Sequence, residues 1–105
     1  MKVKKLLTDR LVYEILSVVG EIPEGCVASY GQIAALIGRE KNSRLVGKVL
    51  SRAELYGDYP CHRVVNHAGR TAPGFFDQRS LLEAEGVVFK SNGCVDMKRV
   101  QWDCT

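Results

Sequence analysis

The chain has 105 residues, one domain's worth, and a single domain over 1–105 is expected. Hydrophobic residues make up 46% and charged residues 26%, ordinary globular usage that excludes a disordered tail, a collagen or a low-complexity segment. The length disfavours a dinucleotide enzyme, a barrel or a kinase, and 15 basic against 12 acidic side chains, net +3, permits nucleic-acid binding without demanding it.

No run approaches the roughly 18 apolar residues of a membrane span. The start, Met1-Lys2-Val3-Lys4-Lys5-Leu6-Leu7, is charged and breaks at Thr8-Asp9-Arg10, without the apolar core of a signal peptide. A cytosolic protein with reduced thiols is therefore expected, associated with nucleoid or nucleus only through any DNA it binds. Leu11, Val12, Ile15, Leu16, Val18 and Val19 recur at helical spacing, with Thr8 or Asp9 as cap and Gly20 as stop. Ile22-Pro23-Glu24-Gly25 reads as a turn and Cys26-Val27-Ala28 as a short extended piece. Ser29-Tyr30-Gly31-Gln32 leads into a short apolar helix, Ile33 to Ile37, ended by Gly38. Ser43 can cap a second helix carrying Leu45, Val46, Val49 and Leu50. Two short helices joined by a Gly-containing turn read as helix-turn-helix.

The second of these helices is two-faced. Arg44, Gly47, Lys48 and Ser51 share the side opposite the apolar residues, with Arg52 at its margin. An interior helical glycine costs about 1 kcal/mol against alanine, and close approach of another molecule to the backbone is one reason to keep it; the other reading is a solvated face with an indifferent glycine. Residues 53–59 look like a loop, Val64-Val65 like a strand, Ala68-Gly69 like a turn and residues 71–76 like a loop. Asp77 can cap a helix with Leu81 and Leu82, closed by Gly86. Val87-Val88-Phe89 and Val95-Asp96-Met97 flank Asn92-Gly93 as a C-terminal hairpin, and Trp102 reads as a core anchor. The expected fold is mainly α: a three-helix helix-turn-helix, winged-helix-like domain with a short strand segment and a C-terminal hairpin.

Four cysteines, Cys26, Cys61, Cys94 and Cys104, stand far apart without a Cys-x-x-Cys pair, so no metal site is expected. Cys61 is followed by His62, and a thiol with a nearby imidazole is a nucleophile with a base. Neighbours on an extended chain point to opposite faces, so a turn or a bridging water is required for that pairing. From the residues alone, a buried structural thiol is the competing reading.

Pro60-Cys61-His62-Arg63-Val64 resembles the active-site signature of the alkylguanine-DNA alkyltransferases. Ile22-Pro23, Gly25, Val27 and Ser29-Tyr30-Gly31-Gln32-Ile33-Ala34 resemble that family's approach to its first DNA-binding helix. Arg44-Leu45-Val46-Gly47 resembles its recognition helix, and Leu81-Leu82 with Glu85-Gly86 its closing helix, all in the family's order. The resemblance implies minor-groove binding to double-stranded DNA containing alkylated guanine, with Gly47 permitting close approach and Gln32, Lys48, Ser51 and Arg52 around it. It implies that Arg44 fills the space of a flipped base, that Tyr30 presses on the target phosphate, and that Cys61 takes the alkyl group once. His62 would deprotonate the thiol through water and Glu85 would orient His62, with no cofactor.

The chain departs from that pattern in places. Ala53-Glu54 stands where the family often has Asn-Pro, and the loop from Gly69 to Gln78 is shorter and lacks the family's Tyr-Ser pair and Lys. The segment from Leu82 to Trp102 is more similar to the alkyltransferase-like proteins, which bind alkylated guanine without transfer and recruit other repair proteins. Those usually replace the cysteine, whereas Cys61 is kept here. One-turnover alkyl transfer and damage sensing without transfer are the two functional readings, in a protein expected to be a monomer.

Overall fold

The apolar stripe of the first helix sets the packing. The computed structural model describes residues 9–104, so Thr8 and the charged residues before it lie outside the described residues. Helix α1, Asp9–Gly20, buries Leu11, Val12, Ile15, Leu16 and Val19. Asp9 is its first residue rather than its cap, where a carboxylate favours the positive end of the helix dipole. Strand β1, Ala28–Ser29, leads directly into α2, Tyr30–Leu36, and α3 follows as Ser43–Leu50. Helices α2 and α3 pack on each other and on α1 as the expected helix-turn-helix core.

The starts of the two helices differ from expectation in opposite ways. Helix α2 begins three residues earlier than its apolar run, at Tyr30. Ser29 and Gln32 form a reciprocal capping box there, Gln32 N donating to Ser29 Oγ at 3.0 Å and Ser29 N to Gln32 Oε1 at 3.3 Å. Helix α3 has no side-chain cap: Ser43 is already helical and Asn42 occupies the cap position without a side-chain hydrogen bond. Leu45 N instead donates to the Asn42 carbonyl at 3.1 Å.

Residues 53–59 are more ordered than a loop. Ala53–Leu55 form a 3-10 turn with Ala53 buried, and the Tyr13 and Tyr56 rings meet edge to face at 5.4 Å, tying this segment to α1. Cys61–Arg63 form a second 3-10 turn that runs into β2, Val64–Val65. Strands β1 and β2 pair in parallel, Ala28 with Val64 and Ser29 with Val65. Alternation on this small sheet divides the interior. Ala28 and Val64 face the helical core with Ile15, Leu16, Ile33 and Val46. Val27 and Val65 face a second cluster with Leu82, Val87 and Val95. Each fully buried Val, Leu or Ile contributes about 1.5–3 kcal/mol of transfer free energy.

Helix α4, Gln78–Ala84, ends as expected at Gly86, whose φ of +91° allows Gly86 N to donate to Glu83 O and Val87 N to Leu82 O. Asp77 sits at its N-cap without a side-chain bond. The expected C-terminal hairpin is reduced to its Asn92-Gly93 turn and one antiparallel bridge, Phe89 with Val95. Asp96 ends it, because its carboxylate accepts from Lys98 N at 3.2 Å and starts helix α5, Met97–Val100. Gly69 is required where this segment crosses the turn after β2: a Cβ there would stand 2.3 Å from Val95 O. The chain then runs beside Val27, Trp102 N donating to Val27 O at 2.7 Å, and Trp102 packs half-buried against the helical core. No helix among the described residues is long and apolar enough to cross a membrane.

Candidate functional site

Cys61 is presented by a 3-10 turn and not by a strand. Cys61 N donates to Tyr59 O at 2.8 Å and Arg63 N to Pro60 O at 3.0 Å, folding the backbone tightly around the thiol. The thiol is half-buried in the wall of a cleft of about 530 Å³. Tyr30 and Gly47 close the cleft on the helix-turn-helix side, Ser51 and residues of the 53–59 segment form another wall, and Ala72 to Phe75 face them. Of the two candidate aromatics in the short loop, Phe75 lines the cleft and Phe76 is 92% exposed.

The two residues that follow Cys61 belong to an ion-pair network centred on Glu85. His62 Nε2 and Glu85 Oε2 are 2.6 Å apart. Arg63 donates Nη2 to Oε2 at 2.9 Å and Nε to both carboxylate oxygens at 3.1 Å. Gly25 N donates to Oε1 at 2.9 Å, and Arg63 Nη1 donates to Ile22 O at 2.9 Å. The Ile22–Gly25 turn, the Cys61 turn and the end of α4 are thereby bolted to one carboxylate. Burial pushes the Glu85 carboxyl up, but the bonds from Arg63, Gly25 N–H and His62 outweigh it and hold its pKa at about 2. An ionised Glu85 can only accept, so His62 donates from Nε2, which in the neutral imidazole leaves the lone pair on Nδ1. Glu85 thus holds the His62 ring by accepting from it.

The thiol is not pre-ionised. Burial raises the Cys61 pKa above its ordinary value, and the Asp58 carboxylate adds to the shift. Burial, then Cys61, likewise raises that of Tyr30. A nucleophile held as a thiol requires proton removal as it reacts.

The other expected site residues divide into four groups. Tyr30 and Gly47 lie together: a Cβ at Gly47 would stand 3.8 Å from Tyr30 Cε1, an ordinary contact, so nothing inside the protein demands glycine there. Arg44 and Lys48 are exposed and, with Ser43, Tyr30 and Gly47, line a second hollow on the outer side of α3. Ser51 donates its hydroxyl to Lys48 O at 2.7 Å, and Arg52 is exposed beyond the helix end. Gln32 is engaged within the protein: besides its capping role, its Nε2 donates to Trp102 O at 2.7 Å and its Oε1 accepts from Gln101 Nε2 at 2.9 Å.

Two residues of this assembly are silent in the sequence. Arg63 lies inside the motif around Cys61, but its counter-charge is 22 positions away. Gln78 is fully buried and ties the short loop to the Cys61 turn. It donates to His62 O at 3.0 Å and Val64 O at 2.8 Å, and accepts from Ala72 N at 2.7 Å. A glutamine opening a helix gives no sign in sequence of being buried.

This architecture is shared with known proteins. The family model described as "6-O-methylguanine DNA methyltransferase, DNA binding domain" matches residues 10–87. The "DNA base-flipping protein" of Escherichia coli is 39% identical over 98 residues, covering 90% of this chain and 76% of its own. A "Methylated-DNA--protein-cysteine methyltransferase" of Methanosarcina acetivorans is 41% identical over 69 residues, 63% of this chain and 44% of its own length. Among solved structures, Schizosaccharomyces pombe Atl1 in complex with damaged DNA containing O6-carboxymethylguanine aligns with a TM-score of 0.80 at 28% identity, covering 93% of this chain and 99% of that one. The chain belongs to the family of 6-O-methylguanine DNA methyltransferase DNA-binding domains.

Proposed function

We propose that this protein recognises O6-alkylguanine in duplex DNA by minor-groove binding and nucleotide flipping, and transfers the alkyl group once to Cys61. The observation that carries the reading is the Cys61 thiol in a cleft lined by Tyr30 and Gly47, with the next residue, His62, paired to Glu85 at 2.6 Å between Nε2 and Oε2. The names of the relatives, which include base flipping and methylated-DNA–cysteine methyl transfer, support it.

The roles follow the geometry. Arg44 and Lys48 bring charge to the phosphates, the bare backbone at Gly47 lets the groove approach α3, and Arg44 occupies the gap left by the flipped base. Ser51, Arg52 and the Gln32-braced start of α2 flank that surface, and Tyr30 stands at the passage into the cleft. A base inside the stack is out of reach of a protein nucleophile, and flipping costs a few kcal/mol, least for a weakly paired alkylated guanine. Sγ of Cys61 then attacks the alkyl carbon. The C–O6 bond breaks with its electron pair going to guanine, the thiol proton passes through water to His62 Nδ1, and a proton returns to the purine. The product thioether has no hydrolytic exit, so each molecule acts once.

Damage sensing without transfer is the second reading. The likeness to Atl1 along almost the whole of that chain favours it, as does a thiol held protonated by burial and Asp58. Nucleoside analysis separates them: one equivalent of protein restores one equivalent of guanine from O6-methylguanine if transfer occurs, and none if the protein only binds.

The surface role of α3 has its own test. Gly47→Ala should raise folding stability by up to about 1 kcal/mol in urea titrations, since the methyl meets only Tyr30, while weakening duplex binding. Unchanged affinity would mean that nothing approaches the backbone at this point.

A further inference from the structure

Resting on the assignment of the Cys61 cleft as the alkyl-accepting pocket, we infer that Glu54 and Asp58 give it a charge filter. Neutral or cationic O6-alkyl groups are admitted, and those bearing a carboxylate are discriminated against. The charged side chains lining this cleft are Glu54 and Asp58, and its described lining contains no Lys, Arg or His. Neither carboxylate forms an ion pair with a described residue.

Their position is fixed by the fold. They follow Ala53, which is buried, and the segment is pinned to α1 through the Tyr13–Tyr56 ring contact. The charge changes sign across one wall. Tyr30 and Gly47 line both hollows, with Arg44 and Lys48 on the outer side and Glu54 and Asp58 on the Cys61 side. A phosphate backbone is therefore met by cations and a flipped base by anions. Asp58 lines the same cleft as Cys61, and its carboxylate adds to burial in raising the Cys61 thiol. An adduct carboxylate placed beside Cys61 meets the same field, with no cation in the cleft lining to offset it. With both groups open to solvent, the expected discrimination is roughly tenfold at low ionic strength and shrinks as salt is added.

The test compares four duplexes of one sequence, carrying guanine, O6-methylguanine, O6-carbamoylmethylguanine or O6-carboxymethylguanine. The last two are matched in shape and differ in charge. Affinities are measured by fluorescence anisotropy on the full chain, with and without the paired changes Glu54→Gln and Asp58→Asn. To keep transfer out of the readout, both proteins also carry Cys61→Ser. The expected result is that the protein with both acids binds the carbamoylmethyl duplex about tenfold more tightly than the carboxymethyl one, and that the paired changes bring the two affinities together. Equal affinities with both acids present, or a difference that survives their removal, overturns the filter. So does loss of O6-methylguanine preference in the changed protein, which would give the two residues a structural role. Absence of any preference for O6-methylguanine over guanine before the acids are changed would instead sink the pocket assignment itself, and the filter with it.

Discussion

Glu85→Gln should cost about 2–3 kcal/mol of folding stability, the range for hydrogen bonds to charged groups left unmade, and slow alkyl transfer by about 10²–10⁴-fold. Arg63 and Glu85 side chains are only 17% and 11% exposed, so removing the carboxylate charge leaves a largely buried guanidinium without its counter-charge. The chemical loss arises at His62. An amide facing Nε2 can donate, which favours the imidazole tautomer with its proton on Nδ1 and removes the lone pair that takes the thiol proton. The acid limb of stability should change as well. Glu85 ionises more readily folded than unfolded, so its contribution is complete above its ordinary value of 4.5 and is lost as pH falls through about 2. Urea titrations between these limits should show the wild type losing stability that the variant never had. A variant of undiminished stability would mean that the network does not hold the Cys61 turn in place.

Arg44→Ala should leave folding within about 0.5 kcal/mol of wild type, because the side chain is exposed, yet weaken binding to alkylated duplex by roughly 10–100-fold. Flipping opens a gap in the stack, and without a side chain to fill it the few kcal/mol of unstacking are less well offset. The loss should fall mainly on damaged DNA. Lys48→Ala supplies the contrast: with one ammonium fewer on the phosphates, all duplexes should bind more weakly by the same factor, and the log–log salt slope should fall by about 0.9. If Arg44→Ala only lowers that slope, with damage preference intact, Arg44 is a backbone contact.

What was legible in the sequence was whatever is written locally. The helix-turn-helix followed from apolar spacing and from Gly38, and the divided face of α3 from which residues share a side. The motif around Cys61 pointed to Cys61 and His62 as candidates and the closing helix to Glu85, and the structure pairs His62 with Glu85. What could not be read depends on distant partners or on competition between neighbours. Arg63 meets a carboxylate 22 residues on, and Gly25 donates to the same group across 60. Gln78 reads as a surface residue, and only the fold turns it inward to three backbone groups. The C-terminal hairpin had a strong turn signal, but the Asp96 cap competes locally and wins after a single bridge. The adjacency of Cys61 and His62 looked awkward because Val64 and Val65 suggested an extended chain. The strand begins only after a 3-10 turn.

The reading of this domain as a one-turnover alkyl acceptor is tested most directly by intact-protein mass after incubation with an O6-methylguanine duplex. The wild type should gain one methyl group and no more, located on Cys61 by peptide mapping, while Cys61→Ser should gain none and still bind the duplex. Tight binding of the damaged duplex by the wild type with no gain in mass would contradict transfer and leave a sensor.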